Sequence, residues 1–217
     1  MVQVYAADIQ TLQDPRDCPE ILDGFTDERR EKTLRYRQPE DRKRSLGAGL
    51  LLRWVLPRHG AVPGRIYVET SGKPQVEGLC FNLSHSGVWV ICAVGEKTVG
   101  CDVERIGRAP AKLARRFFHQ NEVAYLERCG KEERDAMFFR FWTMKESYIK
   151  MTGEGMRAPL NSIEFILEPE KIQAFREGER LSCHIREYEL SGYRVSVCAE
   201  EAQFGGDIEM VSLCPNT

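Results

Sequence analysis

Two acidic residues near the middle of the chain have the spacing of a pair of metal ligands. Asp102 and Glu104 lie two positions apart in GCDVE (100–104), and alternate residues of a β-strand point to the same face. The residues that alternate with them would form the opposite, apolar face: Val99, Cys101 and Val103. Carboxylate oxygens are the ligands that Mg²⁺ prefers, so the pair is a candidate cation site. A solvated strand edge is the alternative interpretation.

A second segment, WTMKESYIK (142–150), combines one acid with two lysines on a predicted helix. Trp142, Glu146 and Lys150 follow one another at intervals of four residues and therefore share one stripe of the helix. Lys145 falls beside the apolar stripe, where a lysine must reach solvent or contact an anion. One interpretation of this unusual lysine is that the helix contacts an anion. The alternative is a Glu146–Lys150 surface pair beside an aromatic anchor.

A third segment, FNLSHS (81–86), places a hydroxyl and an imidazole at the end of an apolar run. Ser84 and His85 could bind phosphate oxygens, although His85 could equally be a hydrogen-bonded structural residue. No acid adjoins the pair, so a serine-hydrolase triad is not supported. The sequence also lacks the glycine-rich nucleotide loops, the GxSxG elbow and the HExxH zinc motif.

The composition is that of an ordinary globular protein. The chain has 217 residues, of which 42% are hydrophobic and 29% charged, and its net charge is −2. These values argue against a disordered chain and against a strongly basic body that binds nucleic acid. No apolar run approaches the roughly 20 residues of a membrane span, and the first residues lack a signal-peptide pattern. Eight cysteines without CxxC spacing indicate buried thiols. We therefore expect a cytoplasmic protein without nucleic-acid or membrane partners.

Helices and strands are predicted in separate blocks. A strand at 2–8 precedes helices that begin after Thr26 and at Pro39, where caps and early acids suit a helix start. Four β-rich runs follow: 65–69, 79–84, 88–94 and 98–104. Hairpin-like turns at 86–87 and 95–96 separate the last three runs. Helical patterns return in three segments, before a β-rich last third: 110–118, 120–129 and 132–151.

Segregated helices and consecutive strands predict an α+β fold. The order of elements repeats about once per half, although no repeat is visible in the sequence itself. We therefore expect two similar pseudo-symmetric lobes, each a small antiparallel sheet packed with helices. Residues 1–104 would form the N-terminal lobe and residues 105–217 the C-terminal lobe.

Four motifs occur together in an order that is typical of one enzyme family. They are GKP at 72–74, NLSHS at 82–86, GCDVE at 100–104 and WTMKESYIK at 142–150. Together they resemble the signatures of the 4′-phosphopantetheinyl transferases, specifically the longer Sfp-type branch. The basic segment DERREK…EDRKRSLGAG also resembles that family's phosphate-binding region. The resemblance covers nearly the whole chain. The length of the chain is similar to that of the family's internally duplicated, monomeric form.

The resemblance implies transfer of the phosphopantetheine arm of coenzyme A to a serine of an apo acyl or peptidyl carrier protein. The by-product would be 3′,5′-adenosine bisphosphate, and Mg²⁺ would be the cofactor, with Mn²⁺ as the alternative. The N-terminal lobe would bind the coenzyme A phosphates, and the C-terminal lobe would carry the catalytic helix and dock the carrier. Two other functions stay open: a non-catalytic module that binds coenzyme A or a carrier protein, and a metal-dependent phosphodiesterase.

The resemblance also implies roles for individual residues. Asp102, Glu104 and Glu146 would bind the metal ion. Glu146 would also be the base for the carrier serine, and the implied catalytic set is Glu146, Lys150 and Asp102. The implied coenzyme A contacts come from all four motifs and the basic segment: Arg29, Lys32, Arg44, Lys73, Ser84, His85, Lys145 and Lys150. Without that context, the basic segment would be an exposed helix face.

Two positions depart from the family pattern. Arg29 stands where a lysine is expected, and Glu154 stands where relatives commonly have a basic or small residue. Carrier contacts are expected within 112–128, where basic residues adjoin Phe117 and Phe118. The alternative for these two phenylalanines is a place in the core.

Overall fold

The computed structural model describes residues 1–68, 72–155, 158–169 and 171–213. The helices in these ranges are α1 (Asp27–Arg35), α2 (Pro39–Arg58), α3 (Ala111–Phe117), α4 (Gln120–Arg128) and α5 (Lys131–Thr152). The strands before residue 106 are β1 (Gln3–Asp8), β2 (Tyr67–Val68), β3 (Pro74–Gln75), β4 (Cys80–Ser86), β5 (Trp89–Gly95) and β6 (Val99–Arg105). The later strands are β7 (Ile163–Leu167), β8 (Ile172–Arg176), β9 (Glu179–Arg180), β10 (His184–Leu190), β11 (Tyr193–Ala199) and β12 (Glu209–Met210).

Two sheets form the middle of the molecule, and one long helix covers each of them. The first sheet has the order β12-β1-β5-β4, and the second has the order β10-β11-β6. On β1, Tyr5 and Ala7 pack with residues of α2, whereas Val4 and Ala6 face the second sheet. This alternation follows from the two-residue period of a strand that is covered on both faces. The layers are therefore α2, first sheet, second sheet and α5.

The second sheet allows α5 to approach very closely at Gly100. A Cβ atom at Gly100 would lie 2.1 Å from the carbonyl oxygen of Ser147 and 2.3 Å from the amide nitrogen of Met151. Only glycine lets β6 contact the helix backbone at this distance.

Two smaller sheets accompany the two central ones: a three-stranded sheet β7-β8-β9 and the pair β2-β3. The predicted α+β fold, with small antiparallel sheets packed against helices, is confirmed.

Local sequence signals explain where the helices begin and end. The hydroxyl of Thr26 accepts a hydrogen bond from the amide of Arg29 (3.3 Å) and caps α1. Pro39 occupies the first turn of α2, where its missing N–H costs nothing. Gly153 ends α5 with φ = 76°, a left-handed conformation that favours glycine. The predicted boundaries at these three places are confirmed. No helix in the described parts of the chain is long and apolar enough to cross a membrane.

The prediction that the turn at 95–96 joins two paired strands, β5 and β6, is wrong. β5 lies between β1 and β4, so both of its edges are already occupied. β6 therefore crosses to the second sheet and pairs with β11. β6 thus belongs to the second sheet although nearly all of it lies within the predicted N-terminal lobe (residues 1–104), and the division of the chain into two lobes stays a prediction. Of the strand expected at 65–69, Tyr67–Val68 is observed, because Arg65 ends a 3-10 turn that Ile66 caps, and residue 69 lies outside the described residues.

The two sheets meet along a seam between β4 and β6. Side chains of β4 bond to β6 here: Asn82 Oδ1 accepts the amide of Cys101 (2.9 Å). The hydroxyl of Ser84 donates to Asp102 Oδ1 (2.7 Å). The next alternate residue of β4, Ser86, donates to a glutamate of β6. The seam therefore fixes the acidic residues of β6 against the Ser-His-Ser segment of β4.

Candidate active site

A cavity of about 620 Å³ lies where α1, α2, β4, β6 and α5 meet. All but three of the predicted site residues are among its polar lining residues: Asp102, Glu104, Glu146, Arg29, Lys32, His85, Lys150 and Ser84. Its apolar walls include Phe25, Leu52, Ile66, Val68 and Trp142. Three of the four predicted motif segments thus contribute predicted site residues to one cavity. Another cavity of about 610 Å³, near Arg180 and Phe204, has none of them among its described lining residues.

Asp102 is the most deeply buried of the three carboxylates, with 3% of its surface exposed. Its Oδ1 atom accepts hydrogen bonds from Lys150 Nζ (2.6 Å) and from the hydroxyl of Ser84 (2.7 Å). Its Oδ2 atom is buried and has no hydrogen-bond partner within the described residues. An unpartnered buried carboxylate oxygen is costly, and a cation would satisfy it. The burial of Asp102 contradicts the alternative of a solvated strand edge.

Glu104 and Glu146 face the same cavity from β6 and α5. Glu104 Oε2 accepts a hydrogen bond from the hydroxyl of Ser86 (2.9 Å), and burial followed by repulsion from Asp102 raises the pKa of Glu104. Burial, and then the charge of Asp102, raise the pKa of Glu146 to about 7, although Lys150 opposes the shift. Raised pKa values in a cleft are typical of functional carboxylates.

The donor set of this acidic cluster (Asp102, Glu104 and Glu146) suits a hard divalent ion. All three supply oxygen ligands, and Asp102 Oδ2 is an acceptor without a donor. No three Asp, Glu, His or Cys side chains in the described ranges are gathered closely enough to hold a metal ion. Binding an ion would therefore require these side chains to move together.

Lys150 is bonded directly to the acidic cluster. Its Nζ atom donates to Asp102 Oδ1 (2.6 Å), to the hydroxyl of Ser84 (3.0 Å) and to the carbonyl oxygen of Cys101 (3.3 Å). Burial is the largest single influence and lowers the pKa of Lys150, but the attraction of Asp102, Cys101 and Glu146 together with the hydrogen bond to Asp102 outweighs it, and the pKa is raised. The ammonium group therefore stays charged. The alternative of an exposed Glu146–Lys150 surface pair is wrong.

A basic cluster of Arg29 and Lys32 lies on α1. The guanidinium of Arg29 donates to the carbonyl oxygen of Ser45 (2.5 Å), while its buried Nε has no acceptor in the described part of the chain. Partial burial, followed by repulsion from Arg29 and Arg35, lowers the pKa of Lys32. Two crowded cations with unused donors are suited to bind an anion such as a phosphate.

Lys145 does not reach the cavity, contrary to the expectation of a phosphate contact. It is fully buried, and its Nζ atom lies 2.8 Å from Glu122 Oε2. It also donates to the carbonyl oxygens of Leu160 (3.0 Å) and Ile163 (2.5 Å). A lysine beside an apolar stripe must reach solvent or contact an anion, and for Lys145 that anion is Glu122 of α4.

Arg44 and Lys73 also lie outside the described lining of the cavity. The guanidinium of Arg44 contacts Asp41 (2.5 Å) and the carbonyl oxygen of Gly87 (3.3 Å), beside the turn that follows His85. Lys73 Nζ donates to two backbone carbonyl oxygens, of Val99 (3.3 Å) and Met151 (3.2 Å). The structure therefore places these two cations next to the site and not in it.

Two site residues were not assigned from the sequence. Ser86 bonds to Glu104, and Trp142 lines the cavity while its ring stacks on Phe138 (centroids 6.0 Å apart). The signal for Ser86 was present, because Ser84 and Ser86 share one face of the strand. The apolar wall had no such signal, since it comes from segments far apart in the chain.

The comparisons with known proteins give one family. Residues 98–198 match the model of the 4′-phosphopantetheinyl transferase superfamily. The 4′-phosphopantetheinyl transferase Sfp of Bacillus subtilis (strain 168) is 36% identical over 200 residues, which cover 88% of this chain and 89% of that protein. This chain belongs to the 4′-phosphopantetheinyl transferase superfamily. The predicted family is confirmed.

Two further members of the superfamily match most of the chain. The transferase ffp of Bacillus subtilis is 32% identical and covers 97% of this chain and 98% of its own length. The transferase gsp of Aneurinibacillus migulanus is 36% identical, over 82% of this chain and 78% of its own length.

A solved structure also matches part of the chain. The holo-[acyl-carrier-protein] synthase of Thermotoga maritima superposes on 47% of this chain and 61% of its own length, with a TM-score of 0.40 and 19% identity.

Two residues depart from the pattern that is expected of this superfamily, and the structure shows what each of them contacts. Glu154 forms two hydrogen bonds with the guanidinium of Arg176 (2.9 and 3.3 Å) and so ties the end of α5 to β8. Arg29 retains a cation at its position and lines the cavity.

Of the two phenylalanines at the expected carrier contact, Phe118 is 3% exposed and belongs to the core, whereas Phe117 is only partly buried.

Proposed function

We propose that this chain transfers the 4′-phosphopantetheine arm of coenzyme A to a serine hydroxyl of an acyl or peptidyl carrier protein. The leaving product is 3′,5′-adenosine bisphosphate. The observation that carries the proposal is one cavity that collects the acidic cluster, Lys150 and the basic cluster, in a chain whose relatives are named 4′-phosphopantetheinyl transferases. Such a cavity suits a ligand that bears a pyrophosphate and a further phosphate.

The acidic cluster is our proposed site for Mg²⁺, with Mn²⁺ as the alternative. The orphaned Oδ2 of Asp102 and the raised pKa values of Glu104 and Glu146 support a missing positive charge there. When bound, such an ion neutralises phosphoryl oxygens and aligns them for in-line attack.

Glu146 is the proposed base for the carrier serine. As the serine oxygen forms its bond to phosphorus, its proton passes to the Glu146 carboxylate, and the bond to the leaving phosphate breaks. A base is most effective when its pKa lies near the working pH, as that of Glu146 does at about 7. Ser84, His85 and Lys150 would contact the pyrophosphate oxygens.

The basic cluster of Arg29 and Lys32 is the proposed site of the 3′-phosphate. Arg44 and Lys73 would act from beside the cavity, and Lys145 is left out of the coenzyme contacts because Glu122 neutralises it. Residues 1–104 would thus supply most phosphate contacts. Residues 105–217 would supply α5 and dock the carrier, for which the exposed Leu113 offers an apolar contact beside arginines. The monomeric state, the cytoplasmic location and the exclusion of nucleic-acid and membrane partners stay predictions.

The proposed function is tested by intact-mass spectrometry of an apo carrier protein. The carrier is incubated with this protein, coenzyme A and Mg²⁺, with and without EDTA. We expect a gain of one phosphopantetheine arm that EDTA prevents. Coenzyme A binding without any gain, on acyl and peptidyl carriers alike, would favour a binding module, and cleavage of coenzyme A without a carrier would favour a phosphodiesterase.

Replacing Gly49 by alanine should weaken the binding of coenzyme A roughly tenfold, about 1.4 kcal/mol. A Cβ atom at Gly49 would lie 2.8 Å from the ring of Phe25 and 3.1 Å from Arg29 Nε, so both side chains must shift. Titration calorimetry with 3′,5′-adenosine bisphosphate measures the change. Gly64 is the matched control, because it lines the same cavity and a Cβ there meets no atom within 4 Å. Equal affinities for Gly49→Ala and Gly64→Ala would contradict the prediction.

A further inference from the structure

The ammonium group of Lys150 occupies Oδ1, one of the two carboxylate oxygens that Asp102 could offer to a metal ion. All three of its donors are used, on Asp102 Oδ1, on the hydroxyl of Ser84 and on the carbonyl oxygen of Cys101, at 2.6 to 3.3 Å. The side chain of Asp102 is 5% exposed and that of Lys150 is 28% exposed. The buried acid is thus neutralised by a lysine that lies nearer to solvent than the acid itself.

A divalent ion that approaches Asp102 therefore meets a positive charge already in contact with it. The two like charges repel each other, and this repulsion is stronger in a partly buried site than in bulk water. The three carboxylates are also not gathered into a metal-binding group in the described residues. The ion must displace the ammonium group from Oδ1 before Asp102 can bind it with both oxygens.

We infer that Lys150 competes with the divalent ion for Asp102 and so couples ion binding to coenzyme A binding. This inference rests on the proposed function, because the phosphoryl oxygens of coenzyme A are the second anionic partner to which the ammonium group moves. Once Lys150 contacts those oxygens, Asp102 Oδ1 is free for the ion. In this role Lys150 acts as a positioning residue, which prevents tight ion binding until the coenzyme is present.

The inference is tested by the binding of Mn²⁺ to the protein without coenzyme A, measured by electron paramagnetic resonance. Lys150→Met removes the competing charge and keeps most of the side-chain volume. We expect this variant to bind Mn²⁺ roughly fivefold or more tightly than the unaltered protein, the lower end of common coupling between linked sites. Lys32→Met is the matched control, since it removes a cavity cation that does not touch Asp102, and its Mn²⁺ affinity should be unchanged.

A second measurement follows the coupling itself. Addition of 3′,5′-adenosine bisphosphate with free pyrophosphate, or of coenzyme A, should raise the Mn²⁺ affinity of the unaltered protein more than that of Lys150→Met. Lys150→Arg, which keeps the charge, should behave like the unaltered protein, and circular dichroism checks that each variant is folded. Asp102→Asn should abolish the Mn²⁺ site.

Two results would overturn the inference. One is that Lys150→Met binds Mn²⁺ no more tightly than the unaltered protein, and the other is that Asp102→Asn leaves Mn²⁺ binding intact. Either result would leave the proposed function standing if the unaltered protein still transfers the arm to a carrier. A failure of that transfer would overturn the function separately.

Discussion

Replacing Glu146 by glutamine should slow transfer roughly a hundredfold or more and at the same time make the folded protein more stable at pH 8. The pKa of Glu146 is raised from 4.5 to about 7, first by burial and then by Asp102. Its charged form is therefore unfavourable in the folded protein. Glutamine keeps the shape of the side chain and carries no charge at any pH.

The sign of the pH dependence follows from this raised pKa. The folded protein holds the proton of Glu146 more tightly than the unfolded chain does, so the group contributes stability below pH 4.5. That contribution is lost as the pH rises through about 7. At pH 8 the charged carboxylate then costs about 1–2 kcal/mol, after allowance for water around a partly exposed group.

Urea unfolding in EDTA at pH 8 and at pH 4.5 measures this difference. Glu146→Gln should gain about 1–2 kcal/mol at pH 8 and close to nothing at pH 4.5. Its transfer rate should fall by roughly 10²–10⁴, the usual contribution of a positioned base. Glu132→Gln, on the exposed first turn of the same helix, should change stability by less than about 0.5 kcal/mol. A glutamine variant with an unchanged turnover rate would show that Glu146 is not the base.

Replacing Lys145 by methionine should destabilise the protein by about 3–5 kcal/mol, because it leaves a buried carboxylate without its partner. Glu122 is 2% exposed and accepts backbone N–H groups of His119 (2.9 Å) and Phe165 (2.9 Å) as well as Lys145. Burial lowers the pKa of Lys145 and raises that of Glu122, and each group opposes the shift of the other. The pair therefore holds α5, α4 and β7 together.

A double variant separates the lost charge partner from the lost packing. Glu122→Gln keeps one acceptor oxygen and removes the buried charge, so Lys145→Met with Glu122→Gln should be about 1–3 kcal/mol more stable than Lys145→Met alone. Lys171→Met, which loses only an exposed pair with Glu168, is the control and should change stability by less than about 0.5 kcal/mol. If the two losses simply add, the buried charge is not what makes Lys145 necessary.

Periodicity predicted which of the acidic residues share a face, whereas the resemblance to the family joined Glu146 to Asp102 and Glu104. Asp102 and Glu104 share a face through the two-residue strand period, and Glu146 and Lys150 share one through the helix period. Periodicity does not show which anion a buried lysine contacts. A phosphate contact was therefore predicted for Lys145, which in the structure contacts Glu122. A short glycine turn also looks the same whether its strands pair or separate, which is why β5 and β6 were expected to pair.

The cavity as a whole needed the structure. Phe25, Leu52 and Ile66 come together through long-range packing of α2 against the first sheet, and no local pattern marks them. Arg29 and Lys32 reach the cavity while Arg44 pairs with Asp41, although all three lie in one basic stretch. The Arg44–Asp41 pair is local, at positions i and i+3 of α2, whereas the placement of Arg29 and Lys32 on the cavity wall depends on the packing of α1.

The place of β12 in the first sheet has a consequence for synthesis on the ribosome. β12 lies parallel to β1, and the amide of Val211 donates to the carbonyl oxygen of Ala6 (2.8 Å). In a nascent chain β1 leaves the exit tunnel long before β12. The edge of β1 that pairs with β12 therefore stays unpaired while the rest of the chain is translated. An open strand edge is a template for pairing with another chain. Until residues 209–211 emerge, this edge of β1 therefore stays open to pairing with another chain.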